Sequence, residues 1–312
     1  MKSHLRKILL PALVLVLTLP ALPVSASQLN VVTSFSILAD IVRQIGGDRV
    51  SVHSIVGADE DAHGYQPLPS DARRVRSADL VIANGLGFDT WLERLAQSAG
   101  HEDSLILAAS GVTPLEDSGS HAHHGHDHGP NDPHAWQDVA NARLYARNIA
   151  EALARTRPAE ADVFEANARD YDTRLAELDA EIRSTMSVLP VSRRKVVTSH
   201  DAFAYFGQAY GLRVMAAAGV SHEADPSAAG IARLIRQLRR ENVPVVFIEN
   251  VADPRLIERI AREGGARIGG KLYSDALSAA DGPAPTYIEM IRHNLATLMS
   301  GLLADAPDNE AH

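Results

Sequence analysis

Apolar and polar positions alternate along this chain in two rhythms. Short apolar runs, LNVVTSF, RVSVHSIVG, ADLVIANG and DSLILAAS, predict four strands between Leu29 and Ser110. Between them SILADIVRQIGG, ARRVRSA and TWLERLAQSAG carry apolar residues at steps of three and four and predict helices. The same alternation returns after Pro190. RRKVVTSH, LRVMAAAGV, VPVVFIENV and ARIGGKLY predict strands. DAFAYFGQAYG, AGIARLIRQLRREN, DPRLIERIAREGG and TYIEMIRHNLATLMSGLL predict helices, the third capped by Asp253 and closed by Gly264. Regular βα alternation is the mark of a parallel sheet covered by helices, here twice over. No fixed-period repeat of residues accompanies it, so the duplication is one of architecture.

Between the halves, residues 158–189 change character. No proline or glycine interrupts the run from Ala159 to Leu189, and Tyr171, Leu175, Leu178, Ile182 and Met186 fall on one helical face. Some 30 residues at ~1.5 Å each reach about 45 Å, more than one small sheet needs. The expected fold class is therefore α/β with two lobes, each a parallel sheet flanked by helices, joined by one long backbone helix, with a ligand site in the cleft between them. The expected segments are a leader (1–26), an N-terminal lobe (27–157), the linking helix (158–189) and a C-terminal lobe (190–312).

Composition changes this picture at three points. At 312 residues, with 46% apolar and 22% charged side chains, the chain suits two globular domains. Its start is basic (Lys2, Arg6, Lys7), then apolar, then small at Val24 and Ala26, the pattern of an export signal cut after Ala26. Prolines 11 and 20 and the short apolar core argue against a membrane span. Removing the leader takes away three positive side chains and moves the formal charge from −9 to −12, which leaves no basic footprint for nucleic acid. An exported chain with no cysteine has neither disulfides nor a lipid-bearing cysteine at its cleavage site. The expectation is a periplasmic, monomeric protein that is not lipid-anchored.

The candidate chemistry is metal binding. Five of the fourteen histidines, His121, His123, His124, His126 and His128, fall within eight residues of a Gly-rich loop spanning 119–129. Such a tract costs conformational entropy to order, so it reads as an accessory, low-affinity metal collector. The sharper candidates are dispersed. Ligand-binding side chains of parallel α/β sheets gather after the carboxyl ends of strands. His63 follows the second strand and His134 the fourth; His200 ends the fifth and Asp275 follows the last. Three imidazoles and one carboxylate form a credible tetrahedral zinc set. His53, His101 and His293 read as structural or surface residues, and His222 as a loop residue.

Four ordered segments, AHGYQPLPSDARRVRSADLVIANGLGFDTWLERL, NDPHAWQD, TSHDAFAYF and KLYSDALS, resemble the cluster A-I (TroA-like) metal receptors of zinc and manganese ABC importers. The resemblance covers essentially the whole mature chain. It implies that His63, His134, His200 and Asp275 are the four metal ligands, that Zn²⁺ is the cargo, and that an ABC transporter permease receives it. It implies the zinc branch through position 200, where manganese receptors usually carry glutamate. It also implies that the lobes move only slightly. The chain departs from the family at Ala62, where proline is common, and at Gln66, where glutamate is common. Cu²⁺ and Ni²⁺ bind such a donor set at least as well as zinc, so ligand type alone leaves them open. A periplasmic zinc chaperone or buffer uses similar chemistry, and a loading chaperone fits as a partner. An exported zinc hydrolase is disfavoured, since HExxH is absent and four protein ligands leave no position for an activated water. The expected protein is not an enzyme.

Overall fold

The computed structural model describes residues 27–116, 131–219 and 227–304. The expected leader, the five tract histidines and His222 lie outside these residues.

Each half forms a four-stranded parallel sheet. In the first, β1 (Leu29–Thr33), β2 (Val50–Ser54), β3 (Leu80–Ala83) and β4 (Leu105–Leu107) take the order β2-β1-β3-β4. In the second, β5 (Lys195–Thr198), β6 (Arg213–Ala216), β7 (Val245–Glu249) and β8 (Arg267–Leu272) take the equivalent order β6-β5-β7-β8. In both sheets the chain reverses its direction of travel beside the first strand. That reversal opens a crevice at the carboxyl ends, where connections leave to opposite sides. Two such crevices face each other, and all eight predicted strands are present.

The helices of the first half are α1 (Ser36–Gly46), α2 (Pro69–Arg76) and α3 (Thr90–Ala99). Those of the second are α6 (Ala204–Tyr210), α7 (Ala228–Glu241), α8 (Pro254–Gly264) and α9 (Tyr287–Leu303). Asp253 caps α8 as expected, accepting from the Arg255 amide, but the left-handed residue that ends the helix is Gly265 rather than Gly264. Among the described residues no helix is long and apolar enough to cross a membrane.

The mid-chain region holds two helices side by side. The linking helix α5 runs Ala161–Ser187 after a 3-10 turn over Pro158–Glu160, and its 27 residues reach about 40 Å. All five apolar positions read from its spacing are buried. Its partner α4 (Val139–Thr156) begins at Asp138, whose carboxylate accepts from the Ala140 amide. Val139, Ala142, Tyr145, Ala146, Ile149 and Leu153 are its buried stripe, with small residues that let α5 approach closely. α5 also touches α1, α6 and α9, so it braces both halves.

The main core does not stop at the lobe boundary. Phe35, Leu38 and Trp136 from the first half share it with Tyr273, Leu277, Tyr287 and Ile291 from the second. A smaller core lies between the second sheet and α7 and α8, built on Val197, Leu234, Leu238, Val246 and Ile257. Hydrogen bonds cross the seam as well. Tyr287 N donates to Asp40 Oδ2 at 2.8 Å, Tyr287 Oη donates to Trp136 O at 2.7 Å, and Leu277 N donates to Ser36 Oγ at 3.0 Å. A fused core of this kind resists wide hinge opening, because opening would expose apolar side chains on both faces.

Candidate metal centre

His63, His134, His200 and Asp275 meet between the two sheets, their ligand atoms all within 4.8 Å of one another. They form the one such cluster of three or more groups among the described residues. His63 is 5% exposed and the other three are fully buried.

Each side chain lies in a connection that follows a strand, His200 and Asp275 close to its end and His63 and His134 further along. His63 lies between β2 and α2, where its amide donates to Asp61 Oδ1 at 2.8 Å. Ala62, one of the two departures from the family pattern, is buried, and its carbonyl accepts from Trp91 Nε1 at 3.0 Å; Gln66, the other, faces solvent. His134 precedes a 3-10 turn over Ala135–Gln137 and follows Asp132, whose Oδ1 accepts from the His134 amide (2.9 Å) and lies 2.7 Å from Nδ1. His200 lies two residues beyond β5, with Glu249 Oε2 2.5 Å from its Nδ1. Glu249 Oε1 meanwhile accepts the amides of Ser199 (2.7 Å) and His200 (3.0 Å). Asp275 follows β8, and the preceding carbonyl, Ser274 O, accepts from Trp136 Nε1 (2.9 Å) and Gln137 Nε2 (2.8 Å).

With Nδ1 of His134 and His200 turned to carboxylates, the Nε2 atoms face inward. His63 Nε2 and His134 Nε2 are 3.1 Å apart. Asp275 Oδ2 is 3.0 Å from His200 Nε2 and 3.7 Å from His63 Nε2, while Oδ1 is 3.5 Å from His134 Nε2. Four donors at ordinary zinc bond lengths around a tetrahedron stand about 3.3 Å apart. The four distances above, 3.0–3.7 Å, bracket that spacing, and all four ligand atoms lie within 4.8 Å of one another.

Aromatic rings wall the site. Phe88 packs edge-on to His63 with centroids 4.5 Å apart, and Phe35, Phe88 and Trp136 touch one another. The low-dielectric wall strengthens every charge interaction inside. Burial disfavours the His200 imidazolium, but Glu249 and Asp275 outweigh it and hold the ring well above the usual histidine range. Burial likewise opposes the Asp275 carboxylate, yet the charges on His200, His134 and His63 hold it far below the usual carboxylate range. Asp61, half-buried, is pushed up to about 6 by desolvation and then by the nearby Asp275 charge. Three carboxylates, Asp132, Glu249 and Asp275, thus surround a space that favours a cation.

The structure brings together the four dispersed candidates. His101 instead contacts Ser104 Oγ at 2.7 Å, and His293 packs on Tyr273 with Nε2 3.1 Å from Lys271 O, as structural residues do. Sequence reading missed Asp132 and Glu249. A signal existed for each. Asp132 stands two residues before a ligand, and Glu249 is a lone acid ending VVFIE, although buried parallel strands are ordinarily apolar throughout.

Comparison with known proteins places this geometry among metal receptors. The family described as zinc-uptake complex component A, periplasmic, matches residues 31–301. The iron-binding protein YfeA of Yersinia pestis is 35% identical over 277 residues, 89% of this chain and 87% of that protein. The manganese ABC transporter substrate-binding lipoprotein PsaA of Streptococcus pneumoniae is 32% identical over 284 residues, 89% of this chain and 90% of that one. The solved periplasmic zinc-binding protein TroA of Treponema pallidum superimposes with a TM-score of 0.82 at 28% identity, covering 89% of this chain and all of that one. One expectation is corrected by these relatives. A protein without a lipid anchor was expected, yet relatives such as PsaA and MntA are named lipoproteins, which speaks for a lipid-anchored protein. The expectation rested on the lack of cysteine alone, and the 312 residues do hold none.

Proposed function

We propose that this chain, which belongs to the zinc-uptake complex component A family of periplasmic metal-binding receptors for ABC transporters, takes zinc as its cargo. Its relatives are named for iron, manganese and zinc, so family membership gives a divalent metal and the donor set must give the choice. The observation that carries zinc is the third imidazole. His200 offers a nitrogen where a carboxylate would favour a harder ion, and a three-nitrogen, one-oxygen set at about tetrahedral spacing suits Zn²⁺ better than Mn²⁺. His63, His134, His200 and Asp275 are the ligands in this reading.

The account of capture follows from the same atoms. Two histidines enter with Nδ1 already turned to Asp132 and Glu249, so little orientational freedom is lost when metal binds. The three carboxylates attract the cation, and the aromatic wall keeps water from competing with it. Four protein donors fill a tetrahedral shell and leave no place for an activated water, so the bound ion is carried and not used in catalysis. A membrane permease takes it up.

Competitive titration against a chelator tests the choice of metal. Wild-type protein is expected to bind one zinc ion at least about a hundredfold more tightly than manganese, in line with the preference of imidazole for later metals. His200→Ala should lose most of that margin. Equal or tighter manganese binding by the wild type would contradict the zinc reading.

A further inference from the structure

The carboxyl end of β7 organises the site without touching the cargo. Its last residue, Glu249, holds His200 through both oxygens, one on the ring and one on the Ser199 and His200 amides. The next residue, Asn250, holds the other loops. Its own amide donates to Leu272 O at 2.9 Å, and its Oδ1 accepts from Ser274 N at 3.3 Å. Its Nδ2 donates to Ala276 O at 3.3 Å and to Asp59 Oδ1 at 3.1 Å. Ser274 and Ala276 bracket Asp275, and Asp59 lies four residues before His63 on the opposite lobe. Asp59 sits in a left-handed backbone conformation (φ 55°), and its amide donates to Leu277 O at 2.9 Å. Two adjacent residues therefore touch the supports of three ligands, across the cleft.

We propose that Glu249 and Asn250 are the positioning pair of the site, Glu249 fixing the ring of His200 for its metal and Asn250 latching the His63 loop onto the Asp275 loop to set how fast metal leaves. The proposal rests on the four-ligand reading above. The roles separate by chemistry. Glu249 presents acceptors at both ends, to two backbone amides and to the Nδ1 proton. Glutamine has one acceptor end only. Placed on the amides, it turns an NH₂ toward Nδ1, which favours a proton on Nε2, where the metal must bind. Placed on Nδ1, it leaves two buried amides facing an NH₂. Asn250 by contrast bonds to the backbone of Leu272, Ser274 and Ala276 and to the Asp59 carboxylate, none of which is a ligand. Its loss loosens the join between lobes and leaves every donor in place.

The test uses the full mature protein and zinc or manganese alone as probes. Glu249→Gln is expected to weaken zinc affinity about 10–100-fold, as outer partners of metal-bound histidines do. In the metal-free protein, on the alkaline side where the ring is neutral, it should also shift the ¹⁵N resonances of His200 away from the Nδ1-protonated tautomer. Asn250→Ala is expected to speed zinc release into excess chelator up to about tenfold, and manganese release in proportion, with the His200 resonances unmoved. Thermal unfolding of the metal-free variants checks the fold. Because Asn250 is only half-buried, its variant keeps the test open if Glu249→Gln does not fold. Zinc affinity within twofold of wild type in Glu249→Gln, or unchanged release in Asn250→Ala, would overturn the corresponding role. Full affinity in His200→Ala would instead overturn the four-ligand reading itself, so the two failures are distinguishable.

Discussion

Asp132 Oδ1 lies 2.7 Å from His134 Nδ1, and the same oxygen accepts the His134 backbone amide. One carboxylate atom thus fixes both the ring and the backbone of a candidate ligand. Since Oδ1 makes both contacts, an asparagine can reproduce them with its single carbonyl oxygen. Asp132→Asn should weaken zinc binding several-fold, through lost charge, and Asp132→Ala about 10–100-fold. Chelator competition on the two variants separates them, and equal losses would remove the geometric role of the oxygen.

Proton competition sets the pH response. Glu249 and Asp275 overcome burial to hold His200 well above the ordinary histidine range, so the metal-free ring keeps its second proton to higher pH than an ordinary histidine does. Metal must displace that proton, and apparent affinity should fall about tenfold per pH unit for each proton displaced. The raised value also has a stability sign. The contribution is fully present below the unfolded value of about 6.5 and is lost as pH rises through the folded value. Metal-free protein should therefore lose thermal stability on the alkaline side faster than the zinc-loaded form. Calorimetry in buffers of different ionisation enthalpy reads the released proton directly. Identical heats in all buffers would contradict it.

The seam between the lobes makes its own prediction. Asp40 is buried on α1, and its Oδ2 accepts the amide of Tyr287, at the first turn of α9. Asp40→Ala leaves that amide without its acceptor and should cost about 1–3 kcal/mol of stability in urea unfolding of the metal-free protein. Zinc should restore part of the loss, because binding to the folded state alone adds stability. No change in midpoint would show that the bond carries nothing.

Removing the histidine tract is expected to leave the four-residue site undisturbed. Glu116 and Asn131 pair as an antiparallel bridge at its base, so a shortened loop has a closed stem to join. Deleting residues 119–129 should leave the tight zinc site unchanged and abolish weaker zinc equivalents or slow loading at low zinc. Unchanged stoichiometry and loading rate would end the collector role.

How much of this was legible follows from what leaves a pattern. The stripe from Tyr171 to Met186 is strictly helical in spacing and predicts a buried face that the structure contains. α4 leaves a weaker mark, because NARLYARNIAEALART buries mostly alanine, which carries little contrast with its polar neighbours. The meeting of His63, His134, His200 and Asp275 was legible from topology, since all four stand after strand ends and parallel sheets gather such loops. Asp132 and Glu249 left only faint marks, a carboxylate two residues before a histidine and a lone acid ending a strand. They act on the far side of the imidazoles, a relation fixed by packing and not by spacing. The join of Asn250 to Asp59 spans 191 positions and has no local signature.

X-ray absorption at the zinc edge of the loaded protein reads the donor set itself. In a variant lacking residues 119–129, one ion with three imidazole nitrogens and one carboxylate oxygen at about 2.0–2.2 Å is expected. The His200→Ala variant should lose one imidazole contribution. A shell of six oxygen-rich donors in the wild type, or an unchanged spectrum in His200→Ala, would contradict it.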